Sequence, residues 1–192
     1  MRKRLFWYFG FALLCIAAAF VLRFFSNTRT SVEVNTPMPT SKPSFSMQIT
    51  SLAFSNNGEI PAKYTCDGDG VNPPLEFKAV PPETKSLALV VHDPDAPKGD
   101  WVHWLVWNIN PTTSGIAENS VPAEALQGVT DFGQKQYGGP CPPSGTHHYV
   151  FKLYALDSKL DISTFSDRTA LEQALAPHIL TQAELVGLYS KK

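Results

Sequence analysis

Two short stretches hold most of the residues able to do chemistry: "HDPDAPKGDWVHW", residues 92–104, and "YGGPCPPSGTHHY", residues 137–149. The first offers the carboxylates Asp93 and Asp95 and the imidazole of His103. Its prolines, Pro94 and Pro97, fix their own φ and keep the residues before them out of the helical region, so the backbone must turn in an extended form. Such a turn can use aspartates merely to bond local amides. His103 adds a further demand, because it lies on an apolar strand face between Trp101 and Leu105. An unpaired buried ring nitrogen costs about 1–3 kcal/mol, and a neighbouring aspartate is its natural partner.

In the second stretch Gly138, Gly139 and Gly145 allow close backbone approach, while Pro140, Pro142 and Pro143 stiffen the loop. A stiff loop with open amides suits a small anion. Period-two geometry then sets His147 and Tyr149 on one face of the following strand and His148 on the other. Other chemistries need other patterns. Cys141 and Ser144 are candidate nucleophiles with His103 or His147 as base, but no G-x-S-x-G elbow surrounds them and prolines flank Cys141. Asp93, Asp95, His103 and His147 are metal-ligating types without H-x3-H or C-x2-C spacing. Neither catalysis nor a metal is expected.

The elements that position these residues read as β. From Met47 to Leu156, short apolar runs alternate with turn clusters such as "CDGDGVNPP" and "VPPETK". The clearest strands are Ser86 to Asp93, Trp101 to Ile109 and His148 to Asp157. Strict alternation along the second sets Trp101, His103, Leu105, Trp107 and Ile109 against Val102, Trp104, Val106 and Asn108. Ser166 is placed to cap a helix from about Asp167 to Ala176, ended by Pro177, and "ELVGLYS" can return as a strand. Two packed sheets with one or two late helices follow.

Upstream, Arg2, Lys3 and Arg4 precede an uncharged apolar run from Leu5 to Leu22. As a helix it would extend roughly 27 Å against a hydrocarbon core of about 30 Å. Residues 1–25 therefore read as a membrane anchor with the remainder outside the cytoplasm, or, through Ala17-Ala18-Ala19, as a cleaved signal. Residues 26–46 are rich in Ser, Thr and Pro and read as a tether, leaving 47–192 as the folded domain. A net charge of −1 excludes the basic footprint of a nucleic-acid binder. Cys66 and Cys141, the two cysteines beyond the apolar run, either pair in an oxidising compartment or stay as buried thiols.

"DPDAP" followed by "WVHW", then "YGGPCPPSGTHHYVFKLYALD", resembles the phosphatidylethanolamine-binding protein family, in its bacterial Raf-kinase-inhibitor-like branch. The likeness extends through "IPAKYTCDGDGVNPPLEF" and "HILTQAELVGLYS", covering residues 47–190. It implies a mainly β fold, a Greek-key β-sandwich of two antiparallel sheets with a C-terminal helical portion. It also implies an anion pocket built from Asp93, Asp95, Pro97, His103, Pro142, Pro143, His147 and Tyr149. The position of His148 is commonly arginine in that branch, which removes one basic contact from the rim.

In that pocket the imidazoles and the tyrosine hydroxyl would meet phosphate oxygens, while the aspartates fix tautomers or attract an ammonium. The expected function is non-catalytic binding of phosphate or a phosphoethanolamine headgroup at the cell envelope, on the periplasmic side of a bacterial inner membrane. The alternative is a regulatory protein-interaction module, such as a protease or kinase inhibitor. Expected partners are a phosphate-bearing small molecule or lipid headgroup and the membrane through residues 1–25. No nucleic acid and no cofactor are expected, and a homodimer is left open.

Overall fold

The structure is a computed structural model that describes residues 46–191. Among the described residues nine strands form two sheets, with one short helix near the C-terminus. In chain order the strands are β1 (Gln48–Ser51), β2 (Gly58–Glu59), β3 (Leu75–Lys78), β4 (Ser86–Asp93), β5 (Trp101–Ile109), β6 (Gly115–Ile116), β7 (Leu126–Gln127), β8 (His147–Leu156) and β9 (Ile179–Tyr189). The smaller sheet runs β1-β3-β6 and the larger β2-β9-β8-β4-β5-β7. Pairing is antiparallel except between β2 and β9, which run parallel with Gly58 opposite Gly187. That pair departs from the expected all-antiparallel sheets.

Three long strands, β8, β4 and β5, form the centre of the larger sheet, and their side chains explain why. β4 is buried almost throughout, as a near-continuous apolar run must be when both faces are covered. One face carries Leu87, Leu89, Val91, Phe151 and Leu153, which pack with Ile49, Leu75 and Phe77 of the smaller sheet. The opposite face carries Ala88, Val90, Leu105 and Trp107 and is covered by Leu171 and Leu175 of the helix. Asp93 continues the first face of β4, and His147 and Tyr149 continue the first face of β8, so all three reach the same rim.

β5 does not keep strict alternation. Val91 pairs with Trp104 but His92 pairs with Val102, so His103 is an extra residue on β5. A bulge of this kind re-aims a side chain and shifts the register beyond it. Val102 therefore packs on the helix side while Trp104 packs between the sheets, which corrects the expectation that they share a face. A second shift between Leu87 and Leu89 has Asn108 at φ 57°.

The helix, α1 (Arg168–Leu175), starts one residue later than expected. Its cap is Asp167, whose carboxylate accepts from the Ala170 amide at 2.9 Å, rather than Ser166. The Ser166 carbonyl instead accepts from the Val129 amide. Pro177 lies in a single 3-10 turn before β9.

The membrane-anchored placement is corrected. No helix among the described residues is long and apolar enough to cross a membrane. Residues 1–25, on which that expectation rested, and the tether up to residue 45 lie outside the described residues.

Candidate functional site

The rims of β4, β5 and β8 and two loops enclose a cavity of about 340 Å³. It gathers Asp93, Pro97, His103, Pro142, Pro143, His147 and Tyr149, seven of the eight residues singled out by sequence. Asp95 is the exception. Its carboxylate turns to the exposed rim, where Oδ2 accepts from the His148 amide at 2.8 Å and lies 2.7 Å from His148 Nδ1. These bonds to His148 hold the Asp95 carboxyl below its ordinary range. His148 thus replaces the expected basic rim contact with a partner for Asp95, and neither lines the cavity.

On the cavity floor, His147 Nδ1 donates to Asp93 Oδ2 at 2.7 Å, and both side chains are buried. Asp93 Oδ1 accepts from the Asp95 amide at 2.9 Å, a local Asx turn that the prolines favour. Asp93 therefore closes the turn and fixes an imidazole together. His103, only 3% exposed, is held differently from the expected aspartate contact. Its Nδ1 donates to the Gly138 carbonyl at 2.6 Å, and the Gly138 amide donates to the His103 carbonyl at 2.8 Å. The bulge on β5 and the glycine loop are thereby locked to each other.

Those two contacts fix both tautomers. With Nδ1 carrying the proton, each neutral imidazole leaves Nε2 as an acceptor. Burial holds the His103 imidazole below the usual histidine range, although the Gly138 carbonyl, Asp93 and Asp131 oppose this. Tyr149 is fully buried, and its ring meets His103 edge to face with centroids 5.1 Å apart. Its hydroxyl has no hydrogen-bond partner of good geometry. Burial, then the nearby Asp93 charge, raises its pKa, so the hydroxyl keeps its proton and stays a donor.

Five further residues line the cavity: Ala96, Lys98, Trp101, Phe132 and Cys141. Lys98 and Trp101 lie within the first motif, so their types were legible although their direction was not. Phe132 comes from the loop after β7 and had no local signal. Its ring packs edge to face on His103 at 5.3 Å and on Trp101 at 5.7 Å. Gly138 makes that possible, since a Cβ there would stand 2.4 Å from the Phe132 ring.

Cys141 is bonded to Cys66, with Cα atoms 5.4 Å apart, which decides between the two cysteine readings in favour of a disulfide. The Cys66 amide also donates to the Pro140 carbonyl at 3.0 Å, so the proline loop is held at both backbone and side chain. Among the described residues no three histidine, cysteine, aspartate or glutamate side chains are grouped to hold a metal ion.

The family model for phosphatidylethanolamine-binding protein matches residues 50–190. A UPF0098 protein of Methanothermobacter thermautotrophicus is 45% identical over 150 residues, covering 76% of this chain and 99% of its own. The crystal structure of a phosphatidylethanolamine-binding protein homologue, CT736 of Chlamydia trachomatis, is 44% identical. It superposes with a TM-score of 0.75, covering 78% of this chain and 100% of that one. YbcL of E. coli, described as a member of the mammalian family, is 33% identical with a TM-score of 0.72, covering 76% and 99%.

Proposed function

From the premise that this chain belongs to the phosphatidylethanolamine-binding protein family, we propose that its cavity is a non-catalytic site for a small phosphate-bearing anion. The observation that carries this reading is the buried Tyr149 hydroxyl, which makes no hydrogen bond of good geometry although it lies near Asp93, and which stands beside two imidazoles of fixed tautomer. A buried hydroxyl left unpaired costs about 1–3 kcal/mol, so a native site that holds one calls for an accepting ligand atom. A phosphate oxygen is such an acceptor.

The imidazoles add a condition. Because each neutral ring presents only a lone pair at Nε2, it cannot donate to a bare phosphate oxygen. A proton must come with the ligand, as a P–OH group, or be taken up at Nε2 from solution. Anion binding therefore depends on the protonation state of the ligand or of Nε2. The absence of turnover is supported by chemistry at the rim: the Cys141 sulfur is committed to a disulfide, and Ser144 is exposed and does not line the cavity. The same reading takes the two sheets as the Greek-key sandwich of the family.

Equilibrium dialysis of the full-length protein against inorganic phosphate tests the proposal, run beside an assay for phosphate release from phosphoethanolamine. Retained phosphate without hydrolysis is the predicted result. Steady release of phosphate would overturn the non-catalytic part, and no retention would overturn the site.

A further inference from the structure

Four of the five histidines hold Nδ1 against a carboxylate: His92 on Asp100 at 2.6 Å, His147 on Asp93 at 2.7 Å, His148 on Asp95 at 2.7 Å and His178 on Asp157 at 2.8 Å. In each, a proton on Nδ1 leaves the Nε2 lone pair unused. Of the four, His147 alone lines the cavity beside Tyr149. The fifth histidine, His103, lines it too, but its Nδ1 meets the Gly138 carbonyl.

A free Nε2 pair is a nucleophile, and its attack on phosphorus turns a neutral ring into a phosphorylated imidazolium. The new positive charge needs a fixed negative neighbour. Asp93 supplies one at His147. His103, 3% exposed, bonds a neutral carbonyl, and its burial outweighs the nearby carboxylates in disfavouring a charged ring. The two imidazoles of the cavity are therefore unequal, and His147 is the one built to carry the group.

The leaving group decides which phosphates react. An alkyl phosphate expels an alkoxide, which needs a proton, and the Tyr149 hydroxyl is a poor acid because burial, then Asp93, keeps its proton on. An acyl phosphate expels a carboxylate, which needs none. We infer that His147 is a phosphorylation site, its Nε2 taking the phosphoryl group from an acyl phosphate held in the cavity, an inference that rests on the phosphate site proposed above. The Nε2 pair forms the N–P bond as the P–O bond to the acyl group breaks. The electrons of that bond leave with the carboxylate, and Nδ1 keeps its proton against Asp93.

Incubating the full-length protein with acetyl phosphate and mapping the added phosphoryl mass by peptide mass spectrometry tests this. His148 and His178 are internal controls: each has the same carboxylate contact, lies outside the cavity, and has its side chain 54% or 38% exposed against 9% for His147. The predicted result is an acid-labile, alkali-stable phosphoryl group on His147, at least about tenfold above His148 and His178. Sulfate should protect His147 and leave the other two unchanged, a comparison made in wild type that needs no variant to fold. Asp93→Asn should slow labelling of His147 by about tenfold. Even labelling of the three histidines, labelling that sulfate does not reduce, an acid-stable ester on Tyr149 or Ser144, or no label while sulfate binds, overturns the inference and leaves the anion site intact. No label together with no retention of sulfate or inorganic phosphate overturns both.

Discussion

His147 Nδ1 donates to Asp93 Oδ2 across 2.7 Å, joining the first residue of β8 to the last residue of β4 on the floor of the cavity. This contact sets the ring so that Nε2 is the nitrogen left for a ligand. Replacing the carboxylate by an amide keeps the shape, leaves one acceptor oxygen for two donors, and removes the negative charge beside His147. Asp93→Asn should weaken phosphate binding by about tenfold to a hundredfold, since a charge-assisted hydrogen bond contributes roughly 1.5–3 kcal/mol. Calorimetry would check it, and an unchanged Kd would show that the contact is only structural.

If imidazolium supplies the donors, affinity should rise as pH falls. Sulfate is the suitable probe, because its own charge is constant between about pH 8 and pH 5.5, whereas inorganic phosphate and its monoesters change charge within that range. Sulfate affinity is predicted to climb through this range. A flat profile would remove protonated histidine from the account.

His103 should also leave a mark on stability. Its folded pKa lies below the unfolded value of about 6.5, because burial disfavours the charged ring. Between the two values the unfolded chain binds a proton that the folded chain does not. Stability is therefore full above pH 6.5 and falls as pH drops through that window. His103→Gln, which can still donate to the Gly138 carbonyl, should lose less stability than wild type between pH 7.5 and pH 5 in urea titrations. Identical losses would assign the acid sensitivity elsewhere.

The disulfide closes a span of 75 residues. On the chain-entropy account such a loop stabilises the fold by about 4 kcal/mol. Cys66→Ser with Cys141→Ser should lower the free energy of unfolding by that order, read in denaturant without reductant. Because Cys141 also lines the cavity, phosphate affinity should drop in the double variant even where it is fully folded.

How much of this was readable beforehand depends on whether a residue answers to its own strand or to a distant loop. Alternation along β8 is enough to set His147 and Tyr149 on one face, whereas Asp93 joins them across two strands, which the family resemblance implies and no local pattern does. His103 obeys a contact 35 residues away, with the Gly138 loop, and sits in a bulge that no local pattern announces. The family resemblance implies Asp95 in the pocket, yet the His148 amide and ring hold it at the rim. The helix cap moved by one residue because Asp167 reaches the Ala170 amide. Phe132 belongs to a loop whose position is set by packing on His103 and Trp101, and sequence carries no direct record of that.

The central claim is that one cavity holds a phosphate group between His103, His147 and Tyr149. Titrating the full-length protein with inorganic phosphate, beside His103→Ala and His147→Ala, tests it most directly. Saturable binding in wild type that disappears in both folded variants is the predicted result, and no binding in any of the three, or equal binding in all, would contradict it.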